Sequence, residues 1–174
     1  MEEKIKLSKF IEQYAQGFNA EERFMKLLGN PSKADRNQNI KEHWDVKGVL
    51  SQVDDTEKTF DVKMMKKINR SDNYVQDNIT WIEIKNVSGN PGWINGKADY
   101  IAFERVDCWL VVDRKQLNDF VSDKLANKTV SGKKGIYERY QRYGRQDEIT
   151  QVPFDDIINL DKSYVVKKNT DENN

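Results

Sequence analysis

The sequence predicts a mixed α/β (α+β) domain, with a central sheet of mixed strand direction flanked by helices. Three observations carry that prediction. An amphipathic helical stretch opens the chain, short segments of period-two alternation follow at hairpin spacing, and a second helical stretch comes after two apolar, strand-like runs. At 174 residues the chain can bury a core without disulfides or metals. It reads as one domain over residues 1–168, with "NTDENN" at 169–174 as a disordered tail.

Over residues 6–28, Phe10, Ile11, Tyr14, Phe18, Phe24, Met25 and Leu28 recur at three- and four-residue spacing. Gly17 and Asn19 are placed to split this helical stretch in two, and Gly29-Asn30-Pro31 ends it. Residues 32–43 are polar. "EHWDVKGVL" then alternates, with His43, Asp45 and Lys47 on one side and Trp44 and Val46 on the other. "SQVDDTEK" is a turn. "TFDVKMM" alternates again, setting Asp61 and Lys63 opposite Phe60, Val62 and Met64. "KKINRSDNYVQDN" is polar and reads as a helix or a long loop. "ITWIEIKNV" is a third strand and "SGNPGWING" a glycine-rich turn. "ADYIAFE" and "CWLVV" are apolar runs, which places them centrally in a sheet. "DRKQLNDFVSDKLA" is a helix, residues 131–148 are basic and aromatic, "TQVPFDDIINL" is mixed, and "KSYVVKK" is a late strand. No internal repeat or dividing linker is present.

Composition narrows the function classes. No apolar run is long enough to span a bilayer, and "MEEKIKLSKF" lacks a signal-peptide core, so a cytoplasmic protein without a membrane partner is expected. Lys and Arg number 29 and so do Asp and Glu, which is not the global basic excess of many nucleic-acid binders but leaves room for local patches. Cys108, the single cysteine, reads as a packing residue in "DCWLVV". One cysteine and one histidine are too few for zinc-based schemes.

The chemistry-bearing pattern is an acid, one spacer and a lysine, repeated three times: Asp45 with Lys47, Asp61 with Lys63, and Glu83 with Lys85. On a strand, period two puts the acid and the lysine side by side. The carboxylate suits a hard divalent ion, and the lysine suits a water or a phosphate undergoing transfer. One acid is not enough for magnesium. The turn at 51–57 makes the strands of Asp45 and Asp61 antiparallel neighbours, which supplies a second. Glu21 is the candidate third: it falls within the apolar arc of Tyr14, Phe24, Met25 and Leu28, where an acid is costly unless paired or metal-bound, while Glu22 points further round. Solvated cross-strand ion pairs are the plainer reading of the same pattern. A second register pairs Asp61 with Glu83 and Lys85 across a longer gap and leaves Asp45 and Glu21 without a role. In the preferred register Glu83 and Lys85 are supporting, substrate-facing or surface residues.

His43 shares the expected strand face with Asp45 and is a candidate phosphate contact. Lys66, Lys67 and Arg70 follow Lys63 closely. Lys133, Lys134, Arg139, Arg142 and Arg145 interleave with Tyr137, Tyr140 and Tyr143, whose spacing of three would line one helical face. Both clusters suit phosphate contacts, with tyrosines for stacking, and both are equally readable as a solvated run and a core stripe. The glycine-rich turn lacks the spacing of a phosphate-binding loop and places Trp93 for packing or for a wedge against DNA.

The ordered set of Glu21, Asp45 in "EHWDVKG", and Asp61 with Lys63 in "FDVKMM" resembles the PD-(D/E)xK, or restriction-endonuclease-like, nuclease superfamily, which includes the archaeal-type Holliday-junction resolvases. "GFNAEERFMKLL" is similar to the helix that opens resolvase-like members, and "WIEIKNVSGNPGWINGKADYIAFE" looks like small phage and prophage proteins of this type. The resemblance spans roughly residues 17–105 and departs from the pattern in lacking a proline before Asp45. It implies an αβββαβ core and magnesium-dependent hydrolysis of DNA phosphodiester bonds, with manganese able to substitute. Asp45 and Asp61 would bind the metal, Glu21 would complete or align the site, and Lys63 would orient the attacking water. A resolvase-like enzyme making paired cuts would also act as a homodimer.

Overall fold

The computed structural model of the chain describes residues 19–66, 74–125 and 128–168. Helix α1 (Ala20–Met25) begins where the Asn19 side chain accepts a hydrogen bond from the Glu22 amide, so Asn19 is its cap, and the helical reading of residues 6–18 lies outside the described residues. A helix of 6 residues cannot hold itself together. It is tied down by the buried Phe24, whose ring meets Phe60 and Trp109 edge-on at centroid distances of 5.2 and 4.9 Å.

Strand β1 (Gly29–Lys33) arises from a segment read above as a helix stop and polar connection. Pro31 is tolerated there because β1 is a sheet edge. A π turn (Gln38–Glu42) leads to β2 (Val46–Leu50), and a tight turn joins β2 to β3 (Asp54–Lys63). These three strands are antiparallel. The chain then leaves the sheet through β4 (Ile79–Lys85) and a 3-10 turn (Trp93–Asn95), and returns as β5 (Tyr100–Glu104), parallel to β3 with Asp61 opposite Ile101. Strand β6 (Cys108–Asp113), helix α2 (Arg114–Leu125), β7 (Val130–Ser131), β8 (Arg139–Tyr140), β9 (Glu148–Pro153), α3 (Phe154–Ile158) and β10 (Ser163–Lys167) complete the described chain.

The architecture is mixed α+β. One sheet has six strands in the order β1-β2-β3-β5-β6-β10, and β5 and β6 lie inside it, as their apolar runs predict. A second sheet has the order β4-β9-β8-β7. Two expectations are corrected. "ITWIEIKNV" does not join the main sheet, because Ile82 packs with Val152 of β9 in the core between the sheets. Nor do Tyr137, Tyr140 and Tyr143 line a helical face. The Tyr137 hydroxyl donates to Asp156, Tyr140 packs on Trp81, and Tyr143 is fully exposed. Among the described residues the β3-to-β5 crossover holds β4 and the 3-10 turn, where the αβββαβ expectation has a helix.

The six-stranded sheet buries both faces. Phe60, Val62, Ala102 and Val111 face α1, while Ile101, Phe103, Leu110 and Val112 face the second sheet and Leu117, Val121 and Leu125 of α2. Among the described residues no helix is long and apolar enough to cross a membrane.

Candidate active site

Asp45 sits one residue ahead of β2, with its amide donating to the Phe60 carbonyl at 2.9 Å. Ladder pairing between β2 and β3 reaches only as far as Val46 opposite Phe60, so the Val62 amide has no strand partner on that side. The Asp45 carboxylate takes its place: Oδ2 accepts from the Val62 amide at 2.7 Å, and Oδ1 accepts from Asn39 Nδ2 at 2.6 Å. The side chain is thereby fixed alongside β3, next to Asp61.

Asp61 is 2 % exposed. Lys63 Nζ lies 2.5 Å from its Oδ1, and its Oδ2 is buried with no hydrogen-bond partner among the described residues. Burial pushes the Asp61 carboxyl up to about 7; Lys63 pulls it down, and the neighbouring Asp45 pushes it up both by its charge and by accepting a hydrogen bond from the protonated Asp61, a partner that calls for a proton rather than a cation. Lys63 in turn sits 4.6 Å above the buried ring of Trp93, which holds the ammonium from its other side. Glu21 approaches from the first turn of α1. Its pKa is raised by burial and then by Asp45, and is lowered by Lys33 and Lys63. Lys33 Nζ lies 3.8 Å from Glu21 Oε2. Glu21, Asp45, Asp61 and Lys63 thus share one electrostatic neighbourhood, with Asp45 and Asp61 as its closest acids. Among the described residues no group of three or more His, Cys, Asp or Glu side chains is disposed to hold a metal ion.

Other candidates fall differently. His43 is not in a strand. It takes a left-handed conformation (φ 55°) at the end of the π turn and packs so closely on Gly96 that a Cβ there would lie 2.6 Å from its own, so it shares no strand face with Asp45. Lys47 pairs with Glu57 at 3.4 Å on the surface. Trp93 is buried, which excludes a wedge. Lys66 is exposed, and partial desolvation and the nearby Lys63 lower its pKa while Glu83 raises it. Glu83 lies on β4 of the second sheet, near enough for its charge to act on Lys66, and Lys85 pairs with Glu148 at 3.5 Å. Lys67 and Arg70 lie outside the described residues. Lys133, Lys134 and Arg145 are exposed, whereas Arg139 and Arg142 turn to the buried acids Glu148 and Asp147. Two of the five cations in the basic stretch therefore neutralise buried carboxylates, as the adjacent buried acids Asp147 and Glu148 require.

Sequence reading missed two contributors. Asn39, which steers Asp45, lies in a polar segment with no periodicity. Glu104, buried at the end of β5, receives Arg23 of α1 through two bonds at 2.7 and 2.8 Å and Lys168 at 3.2 Å. The acid that closes the apolar run "YIAFE" was the available signal. The chain matches no protein-family model, no curated protein and no solved structure.

Proposed function

We propose that the chain is a magnesium-dependent DNA endonuclease of the PD-(D/E)xK type, with manganese able to replace magnesium. The observation that carries this reading is the convergence of Asp45 and Asp61 beside Lys63, with one Asp61 oxygen buried and unpartnered. A buried carboxylate oxygen of that kind is costly unless a proton or a cation meets it. The donor set is all oxygen, which suits a hard ion that keeps much of its own water. Asp45 and Asp61 would hold the ion, with Glu21 on the more open side to complete or align it.

When bound, the ion would neutralise phosphate charge and acidify a coordinated water. The chain's own residues do the rest. Asn39 and the Val62 amide hold Asp45 in one orientation. Asp61 and the Trp93 ring hold the Lys63 ammonium between them, where it orients the attacking water and offsets charge gathering on the phosphate. Paired cuts on branched DNA would require two copies of the chain.

Incubation with supercoiled plasmid and with branched DNA in magnesium or manganese tests the reading. Cleavage by the wild type and its loss in Asp61→Ala are expected; an inert wild type, or equal cutting by the variant, would overturn it. A second reading, a non-catalytic module that grips nucleic acid or protein with a nuclease-like sheet, is favoured by one observation. Lys63 and two protein hydrogen bonds already serve three of the four oxygens of Asp45 and Asp61. Manganese calorimetry separates the two: heat that vanishes in Asp45→Ala supports the enzyme, and salt-sensitive DNA binding without that heat supports the module.

A further inference from the structure

Of the four tryptophans, Trp44, Trp93 and Trp109 are 5, 9 and 1 % exposed, whereas Trp81 is only half-buried. Trp81 lies on the face of β4 opposite to Ile82, which packs in the core between the sheets. The Tyr140 ring of β8 meets it at a centroid distance of 6.0 Å and a tilt of 40°. Lys134 Nζ stands 5.8 Å from the centre of the Tyr140 ring. At the other end, Trp81 and Lys66 line one cleft that continues to Lys63. Arg142 and Glu83 both act electrostatically on Lys66. Of the nearby acids, Asp147 and Glu148 are matched by Arg142 and Arg139, while Glu83 and Asp61 both act on Lys66. A half-open aromatic surface with a lysine at either end therefore adjoins the acid cluster.

We propose that Trp81 and Tyr140 form a stacking platform for unpaired bases, so that the substrate is DNA with a single-stranded segment beside the cut. The cut itself rests on the nuclease reading above, whereas the platform does not. A duplex hides its base faces in its own stack and offers a protein only edges and phosphates. An unpaired base offers its whole face, and stacking on an aromatic side chain is sequence-tolerant and substantial. Lysines flanking the rings supply the phosphate contacts that such binding needs.

The chain reports on this surface itself, because the three buried tryptophans are shielded from a ligand. The full chain in EDTA is titrated with an oligothymidylate, following tryptophan emission and the anisotropy of labelled oligonucleotide in parallel. Saturable quenching is expected, with single strand bound at least about tenfold more tightly than duplex of equal length. Trp81→Leu should abolish the quenching and weaken binding about tenfold, and Tyr140→Leu should weaken it similarly with Trp81 still present. Trp81→Phe, which keeps a stacking ring, should retain most of the affinity and so separates lost stacking from lost fold. Equal affinity for duplex and single strand, or undiminished binding in both leucine variants, would overturn the platform. Tighter binding of the matching ribo-oligonucleotide would overturn the assignment to DNA. Binding in EDTA reads the platform and cleavage in magnesium reads the nuclease, so failure of the nuclease reading and failure of the platform are seen in different assays.

Discussion

Asp61 is where the pattern in the sequence and the physics of the folded chain meet. Its carboxyl is shifted from 3.8 to about 7, with burial as the main cause. Without a bound ion, the folded protein therefore holds a proton that the unfolded chain releases above its ordinary carboxylate pKa. Folded-state pKa above unfolded means that this group's contribution is fully present below about 4 and is lost as pH rises toward 7. Urea denaturation in EDTA should show stability falling across that window, by at most about 1.4 kcal/mol per pH unit from this group. Asp61→Asn should flatten the slope, and an unchanged slope would count against the burial account. A cation competes with the same proton, so manganese affinity should rise over the same window. Lys63→Met should lower the cleavage rate by about 100-fold or more while leaving manganese binding in place. Gly92 is a backbone counterpart: a Cβ there would lie 2.3 Å from the Glu83 carbonyl oxygen. Gly92→Ala must push apart the turn that carries Trp93 and the strand that carries Glu83, and should cost about 2 kcal/mol or more by thermal denaturation. The close approach at Gly92 is not visible locally, since one of three glycines in "GNPGWING" reads only as part of a turn.

At the scale of elements, α1 shows how a short helix is made precise. Phe24 anchors one face, and Arg23 clamps it to Glu104 on β5 with two bonds. Glu21 reaches toward Asp45 from a helix held at these two points. Glu104→Gln removes the charge that offsets both Arg23 and Lys168. It should destabilise the fold by about 3 kcal/mol, measured by chemical denaturation, and loosen the link between α1 and the sheet. The helical period over Ala20–Met25, the break near Asn19 and the β2–β3 hairpin were legible in the sequence because each follows from local rules: period, break residues and turn length. The clamp was not, because its partners lie 81 residues apart. Strand β1 was hidden by Pro31, which argues against a strand wherever the edge position is unknown.

For the whole molecule, the two sheets share one core, where Ile82 and Val152 of the second sheet pack with Ile101, Phe103, Leu110 and Val112 of the first. Far- and near-ultraviolet circular dichroism should therefore report a single unfolding transition, and separate transitions for the two sheets would contradict a shared core. Local pattern was enough for the α+β class, the central place of β5 and β6, and the hairpin that makes Asp45 and Asp61 neighbours. Alternation and turn spacing act over a few residues and leave little choice. Contacts between distant segments put "ITWIEIKNV" in the second sheet, took His43 out of the strand, and turned Arg139 and Arg142 to buried acids while Trp81 stays half-open beside the cleft. Period two tells which residues share a face but not which strand edge that face will meet. That choice belongs to long-range packing, where burying Ile82 and matching every buried charge outweigh local pattern.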